Sequence, residues 1–180
     1  MADVIIGTAE NRADGPVAQP SEPPPAGLRL ADKPELAFIE LLFFAYRDFV
    51  GDPDAVLDTF GFGRAHHRVL HFVSRNPGMM VADLLDILKI TKQSLARVLK
   101  QLVDTGYIEQ RPGPEDRRQR LLFPTPKGKA LEMRLIELQA QRVRGALAGL
   151  GAEGRAGVES FLRRMIDPAD REHVDQLIKR

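Results

Sequence analysis

The sequence contains no cysteine among its 180 residues, so disulfides, thiolate metal ligands and cysteine nucleophiles are excluded. No apolar run approaches the roughly 20 residues that a membrane-spanning helix needs. The N-terminus lacks the basic start and apolar middle of a signal peptide. No glycine-rich phosphate loop occurs, and no nucleophile, histidine and acid stand together in a recognisable motif. These absences argue against an enzyme and against a cofactor, and they lead us to expect a soluble cytoplasmic protein.

The net charge of +1 conceals an uneven distribution of charge along the chain. Residues 1–60 carry 4 basic and 11 acidic side chains, whereas residues 61–130 carry 13 basic and 6 acidic ones. Charge runs are often only solvated surface, but a local excess of positive charge also favours phosphate binding. Residues 61–130 are therefore the segment in which a nucleic-acid surface is expected first.

The clearest local pattern within this segment begins at Thr91, whose hydroxyl can cap the start of a helix. Ile90 and Leu95 have the spacing of a hydrophobic staple, so a helix is predicted to start at Lys92. Its apolar residues recur at helical spacing and should face the core: Leu95, Val98, Leu99, Leu102 and Val103. Its opposite face should carry polar and basic side chains: Lys92, Gln93, Ser94, Arg97, Lys100 and Gln101. Gly106 is placed to end the helix in a left-handed conformation.

The segments on both sides of this helix have the sequence patterns of a helix-turn-helix and of a β-hairpin. Upstream, four apolar residues at helical spacing predict another helix: Val81, Leu84, Leu85 and Leu88. Only a short turn separates this helix from the one that starts at Lys92, as in a helix-turn-helix. Downstream, two short strands at 107–111 and 119–123 flank a charged turn that contains Arg117 and Arg118. Such a hairpin can form a wing that inserts arginine into a DNA minor groove. Thr125-Pro126 then predicts a further helix from about Pro126.

From about residue 63 to residue 148 the chain resembles the MarR family of bacterial transcriptional regulators. Three segments carry the resemblance: residues 90–99, residues 102–108 and residues 116–128. The resemblance implies that Arg118 enters the minor groove and that Asp116 steadies it. Pro124 departs from the family, which usually has leucine there, and it removes one hydrogen-bond donor at the strand end. The absence of cysteine excludes the cysteine-based peroxide sensing that some members of the family use.

The predicted fold is mainly α (α+β), with a winged helix-turn-helix lobe, a two-stranded β-wing, and N- and C-terminal dimerisation helices. Residues 1–31 form a Pro-rich tail expected to be disordered, and residues 32–180 form one regulator domain. The lobe covers about 63–125, and the dimerisation helices cover about 34–50 and 126–180. A helix over 35–50 would be apolar on nearly all sides and would need to be buried on several of them. A second copy of the chain is the simplest way to bury it. The resemblance implies the same homodimer.

We predict nine DNA-binding residues: Thr91, Lys92, Gln93, Ser94, Arg97, Lys100, Asp116, Arg117 and Arg118. Gln93, Ser94 and Arg97 are expected at base edges in the major groove, with Lys92 and Lys100 at phosphates. A twofold dimer would read a near-palindromic operator with half-sites about one helical turn apart. The expected function is a transcriptional regulator, and specifically a repressor. The alternative is a winged-helix module that binds protein rather than specific DNA, although such a module should expose apolar residues on this helix.

A small-molecule effector and a metal ion are further potential ligands. The resemblance implies an anionic or aromatic effector between the dimer helices and the lobe, and its identity stays unknown. Some side chains could line its crevice or could simply be core: Phe38, Phe43, Tyr46, Phe60, Phe62 and His67. His67 and His71 have a spacing that can place two imidazoles on one metal, and His66 lies beside them. No clear third or fourth ligand accompanies them, although His173 is an alternative for one of these positions. No metal site is predicted.

Overall fold

The computed structural model describes residues 33–116 and 118–179, together with Gly27 and Arg29. The described residues form seven helices and three strands. The helices are α1 (Leu36–Asp58), α2 (Arg64–Arg75), α3 (Val81–Leu88), α4 (Lys92–Asp104), α5 (Pro126–Leu147), α6 (Ala152–Met165) and α7 (Arg171–Ile178). The strands are β1 (Met79–Met80), β2 (Ile108–Pro112) and β3 (Arg120–Pro124).

The chain divides into two units, residues 1–39 and residues 40–180. Apart from Gly27 and Arg29, the tail predicted at 1–31 lies outside the described residues, and so does Arg117 of the predicted wing. The second unit contains the helix-turn-helix, the sheet and the C-terminal helices. Within the described part of the chain, no helix combines the length and apolar character that a membrane crossing requires.

Helix α1 is longer than the sequence predicted. It was expected to end at Val50, but it continues through Pro53 to Asp58. Proline lacks an amide hydrogen and removes one helical hydrogen bond, which usually ends a helix. Here the buried side chains recur at helical spacing across the proline, at Val50, Pro53, Val56 and Leu57. Burial of this stripe explains why the helix continues.

The helix-turn-helix forms as predicted. Helix α3 ends at Leu88, and Lys89 adopts a left-handed conformation with φ 51° while its amide donates to the Leu85 carbonyl at 2.9 Å. Helix α4 starts at Lys92, and the Thr91 hydroxyl accepts a hydrogen bond from the Ser94 amide at 3.2 Å. Gly106, with φ 75°, follows the end of α4. The predicted start and end of α4, the candidate DNA-recognition helix, are therefore confirmed.

The sheet contains the predicted hairpin and one strand more. Strands β2 and β3 pair antiparallel from Ile108 with Pro124 to Pro112 with Arg120, so the proline at position 124 is accommodated at the strand end. Strand β1 pairs with the other edge of β3, through Met79 with Leu122 and Met80 with Leu121. The predicted two-stranded wing is thus part of a three-stranded sheet. A strand of two residues is too short to show an alternating pattern in the sequence.

One hydrophobic core joins α1, α2, α3, α4, the sheet and α5. Its most buried members include Leu57, Val69, Leu70, Leu84, Leu95, Leu102, Ile108, Leu122 and Leu135. Helices α6 and α7 do not contribute to this core, and neither contains a fully buried residue. Large apolar side chains on α1 and α6 are exposed, among them Leu41, Phe43, Phe44, Leu162 and Met165.

Candidate nucleic-acid interface

Helix α4 has a buried face and a polar exposed face. Leu95, Val98, Leu99 and Leu102 are at most 4% exposed and pack into the core. On the opposite face Lys92, Gln93 and Arg97 are exposed, and their side chains have no hydrogen-bond or ion-pair partner among the described residues. An amide, a guanidinium and an ammonium are therefore available to an external ligand on one helix surface.

The N-terminus of α4 adds backbone donors to this surface. Thr91 caps the Ser94 amide, and its hydroxyl also donates to the Ser94 hydroxyl at 2.9 Å. The amides of Lys92 and Gln93 belong to the first turn, where no helical acceptor exists. The positive end of the helix dipole lies at the same place, which favours a phosphate.

Lys100 and Gln101 differ in their surroundings from the rest of the predicted face. Lys100 forms an exposed ion pair with Asp104 one turn later. The Gln101 side chain does not point outward as predicted: its oxygen lies 2.8 Å from His66 Nε2, and its amide donates to the Gly61 carbonyl at 3.2 Å. The prediction for Gln101 was wrong because helical periodicity cannot show that the loop before α2 covers this position.

The wing turn is organised by backbone hydrogen bonds. The Asp116 carboxylate accepts from the Arg118 amide at 2.9 Å, and the Gln119 amide donates to the Asp116 carbonyl at 3.0 Å. Asp116 therefore holds the backbone at Arg118 rather than its guanidinium. The Arg118 side chain is exposed. At the base of the wing, Arg111 lies over the Phe123 ring, 4.4 Å from its centroid, and pairs with Glu109.

A crevice of about 520 Å³ lies between α1, α2 and α5, and its wall includes Tyr46, Phe49, His67, Phe72 and Gln139. Besides His67, three further cationic or titratable side chains of α2 line it: Arg64, Arg68 and His71. Of the six side chains considered for an effector crevice, Tyr46 and His67 line this one. Phe62 is a core residue at 4% exposure, and Phe60 lies against Tyr107. Sequence reasoning missed Arg64, Arg68 and His71 as lining residues, although their spacing of about one helical turn was a visible signal.

Two histidines that line this crevice differ in their surroundings. His71 Nδ1 lies 2.8 Å from Glu132 Oε1, and the Glu132 side chain is only 2% exposed. Burial lowers the pKa of His67, because the interior disfavours the imidazolium, while the charge of Glu132 acts in the opposite direction. No cluster of three or more potential metal ligands occurs in the part of the chain that the structure describes. His66, His67, His71 and His173 are not brought together as a metal centre there.

The fold and this surface define a class: a winged helix-turn-helix protein of the DNA-binding kind. A family model described as the MarR family matches residues 60–119. The HTH-type transcriptional regulator PetP of Rhodobacter capsulatus is 47% identical over 150 residues, which cover 83% of this chain and 90% of PetP.

Solved structures show the same fold. Streptococcus pneumoniae FabT in complex with DNA has a TM-score of 0.65 at 18% identity, covering 72% of this chain and 93% of FabT. Bordetella bronchiseptica BpsR, whose DNA binding is regulated by 6-hydroxynicotinic acid, has a TM-score of 0.56 at 23% identity, covering 73% and 99%. The chain belongs to the MarR family. It is a DNA-binding transcriptional regulator of MarR type and not an enzyme.

Proposed function

We propose that this regulator is a cytoplasmic homodimer that binds a near-palindromic operator, represses transcription, and releases the DNA when a small-molecule effector binds. One observation carries the DNA part of the proposal. Helix α4 is fixed by a buried apolar face, while Gln93, Arg97 and Lys92 on its other face have no partner among the described residues. A helix that follows a short turn and exposes such donors suits the major groove.

The side chains of α4 divide into two roles. Arg97 and Gln93 have the donor and acceptor patterns that pair with guanine and adenine edges, and Ser94 can bond to either base. Lys92 and the first-turn amides behind Thr91 suit a phosphate. Lys100 takes the second phosphate position, where its ion pair with Asp104 must rearrange. Phosphate contacts fix the position of the helix, and base contacts supply the sequence preference.

The wing supplies the minor-groove contact. Arg118 is exposed, and the bond from its amide to Asp116 fixes the backbone that carries it. We assign Arg117 to the same groove from its position in the sequence. A narrow minor groove has a strongly negative potential that favours an inserted guanidinium.

Exposed apolar side chains on the terminal helices support the homodimer. Phe43 is 69% exposed, Leu41 64%, Met165 59% and Leu162 54%. Such a concentration of large apolar groups is uncommon on the surface of a monomer and is typical of an interface. We assign the helices near 34–50 and 126–180 to dimerisation. Two α4 helices related by a twofold axis would then read two half-sites.

The crevice between α1, α2 and α5 is the proposed effector site. Tyr46, Phe49 and Phe72 offer apolar rings, and Arg68 offers positive charge. Arg64 adds a second guanidinium, which is ion-paired with Asp54 at 2.7 Å. An aromatic acid matches both features, and the regulation of BpsR by 6-hydroxynicotinic acid supports this class. Arg68 also donates to the Leu88 carbonyl at the end of α3, at 3.2 Å. An effector that recruits Arg68 would disturb the helix-turn-helix and favour a state that binds DNA less well.

Fluorescence anisotropy tests the proposal directly. The protein is titrated against the DNA upstream of its own gene and against an unrelated duplex of equal length, across a salt series. Tight binding to the first duplex alone supports a specific regulator, and its loss on addition of aromatic acids supports effector release. Equal, weak and steeply salt-dependent binding to both duplexes would leave only nonspecific phosphate attraction and would contradict the proposal.

A further inference from the structure

Tyr107, just beyond the recognition helix, receives contacts from both sides of the lobe. Its side chain is only 4% exposed. From the loop between α1 and α2, the Phe62 ring meets the Tyr107 ring edge-on, with 5.0 Å between centroids. From the first turn of α5, Lys127 Nζ lies 4.2 Å from the centroid of the same ring. One aromatic ring thus joins the end of α4, the end of α1 and the start of α5.

Residues at the start of α5 also bind the backbone carbonyls that directly follow the recognition helix. The last carbonyls of α4 accept from the amides of Thr105, Gly106 and Tyr107, and the carbonyls of the residues after the helix need other donors. Here Lys127 Nζ donates to the Thr105 carbonyl at 2.9 Å, and the Thr125 hydroxyl donates to the Gly106 carbonyl at 2.7 Å. The Thr125 amide donates to the Tyr107 carbonyl at 3.1 Å. The start of α5 therefore fixes the segment that follows the end of α4.

The approach of the two segments is closest at Gly128. A Cβ atom built on Gly128 would overlap the backbone carbonyl oxygen of Tyr107. The obstacle is backbone, so the overlap could be relieved only if α5 or the Tyr107 segment moved. Glycine at position 128 is therefore required by this close approach.

The loop after α1 holds the same end of α4 through a separate set of bonds. Gln101 donates to the Gly61 carbonyl and contacts His66 Nε2. His66 Nδ1 in turn accepts from the Gly63 amide at 3.1 Å, so both ring nitrogens are engaged. The C-terminal end of α4 and the residues after it are thus held by segments next to α1 and α5, the two proposed dimerisation helices.

The geometry points to a positioning joint: these contacts set the distance and angle of the recognition helix relative to α1 and α5, and so set the half-site spacing that the dimer accepts. The joint consists of Gln101, Tyr107, Thr125, Lys127 and Gly128. It rests on the proposed dimeric function, because spacing has meaning only when two copies bind one operator. None of its members needs to touch a base, and each acts by holding α4.

Affinity as a function of half-site spacing tests this joint. Duplexes carry two copies of the half-site that the wild type selects from random DNA, with centres from about 9 to about 12 base pairs apart. Lys127→Met keeps the aliphatic stem on Tyr107 and removes the ammonium. Lys129→Met removes an exposed lysine side chain that has no partner among the described residues and is the matched control. Gly128→Ala forces a displacement at the joint, and urea unfolding checks that each variant is folded.

We expect Lys127→Met to reduce the ratio of best to worst affinity across the spacings by roughly threefold or more, a size typical of altered coupling between sites. Folded Gly128→Ala should move the optimum to another spacing, and Lys129→Met should keep the wild-type profile. If Lys127→Met leaves the profile unchanged, or lowers affinity equally at every spacing, the joint is overturned while the dimer stands. If the wild type binds the half-sites with no preferred spacing, the proposed dimeric function is contradicted, and the proposed joint is contradicted with it.

Discussion

Arg97 and Lys92 lie on the same exposed surface of α4 but should contribute to DNA binding in different ways. Arg97→Ala should relax base preference, because a bidentate arginine contact supplies roughly 1 to 3 kcal/mol of discrimination. Lys92→Ala should weaken binding to all duplexes alike and reduce the salt slope by about 1. Anisotropy on specific and scrambled duplexes at several salt concentrations separates the two effects. Indistinguishable behaviour of the two variants would contradict the assignment of base and phosphate roles.

His67 should make the stability of the protein depend on pH. Its pKa is lowered in the folded state by burial, so below its ordinary value of about 6.5 the unfolded chain binds a proton that the folded chain resists. Stability should therefore fall as pH drops through about 6.5. His67→Gln should reduce the loss of unfolding free energy between pH 7.5 and pH 5.5, measured in urea. The matched control is His173→Gln on exposed α7, which should keep the wild-type loss, and an equal loss in all three proteins would exclude this role for His67.

At the scale of single elements, the start of α4 depends on the hydroxyl of Thr91. Thr91→Ala should lower the free energy of unfolding by about 1 kcal/mol, because the Ser94 amide loses its acceptor. Thr91→Ser keeps the hydroxyl and should retain most of the stability. Urea midpoints of the three proteins provide the comparison. Equal midpoints for the alanine and serine variants would show that the cap contributes little.

The elements that the sequence predicted correctly are those whose signals are local. A hydroxyl cap, a staple and an apolar stripe fall within a few residues of one another in α4, and Thr125-Pro126 does the same for α5. The missed features depend on distant partners. Helix α1 continues past Pro53 because the core buries that turn, and β1 exists because β3 offers an edge. Gln101 turns inward because Gly61 and His66 lie beside it.

The same distinction between local signals and distant partners applies to the candidate site. The outward position of Gln93 and Arg97 could be predicted from helical period alone, since their neighbours Leu95 and Val98 are buried. The pairing of Lys100 with Asp104 has the familiar spacing of one helical turn but depends on rotamers that a sequence does not specify. The bond from Asp116 to the Arg118 amide depends on turn geometry. The crevice lining needs the packing of three helices and could be predicted only in part.

At the scale of the whole molecule, dimerisation should depend on the exposed apolar side chains of α1. Phe43 is 69% exposed, and a carboxylate buried there in an interface would have no partner and a high desolvation cost. Phe43→Glu should therefore shift the protein from dimer to monomer in sedimentation at micromolar concentration. Ala82→Glu places the same charge on the exposed surface of α3 and should leave the dimer intact. A wild-type protein that sediments as a monomer would contradict the proposed assembly.

The central claim is that two copies of this chain bind one operator through their α4 helices. The most direct measurement is the mass of the complex formed on a near-palindromic duplex selected by the protein, compared with a scrambled duplex of the same length. We predict two chains on each selected duplex and no complex on the scrambled one at the same salt concentration. A single chain on the selected duplex, or equal complexes on both duplexes, would contradict the account.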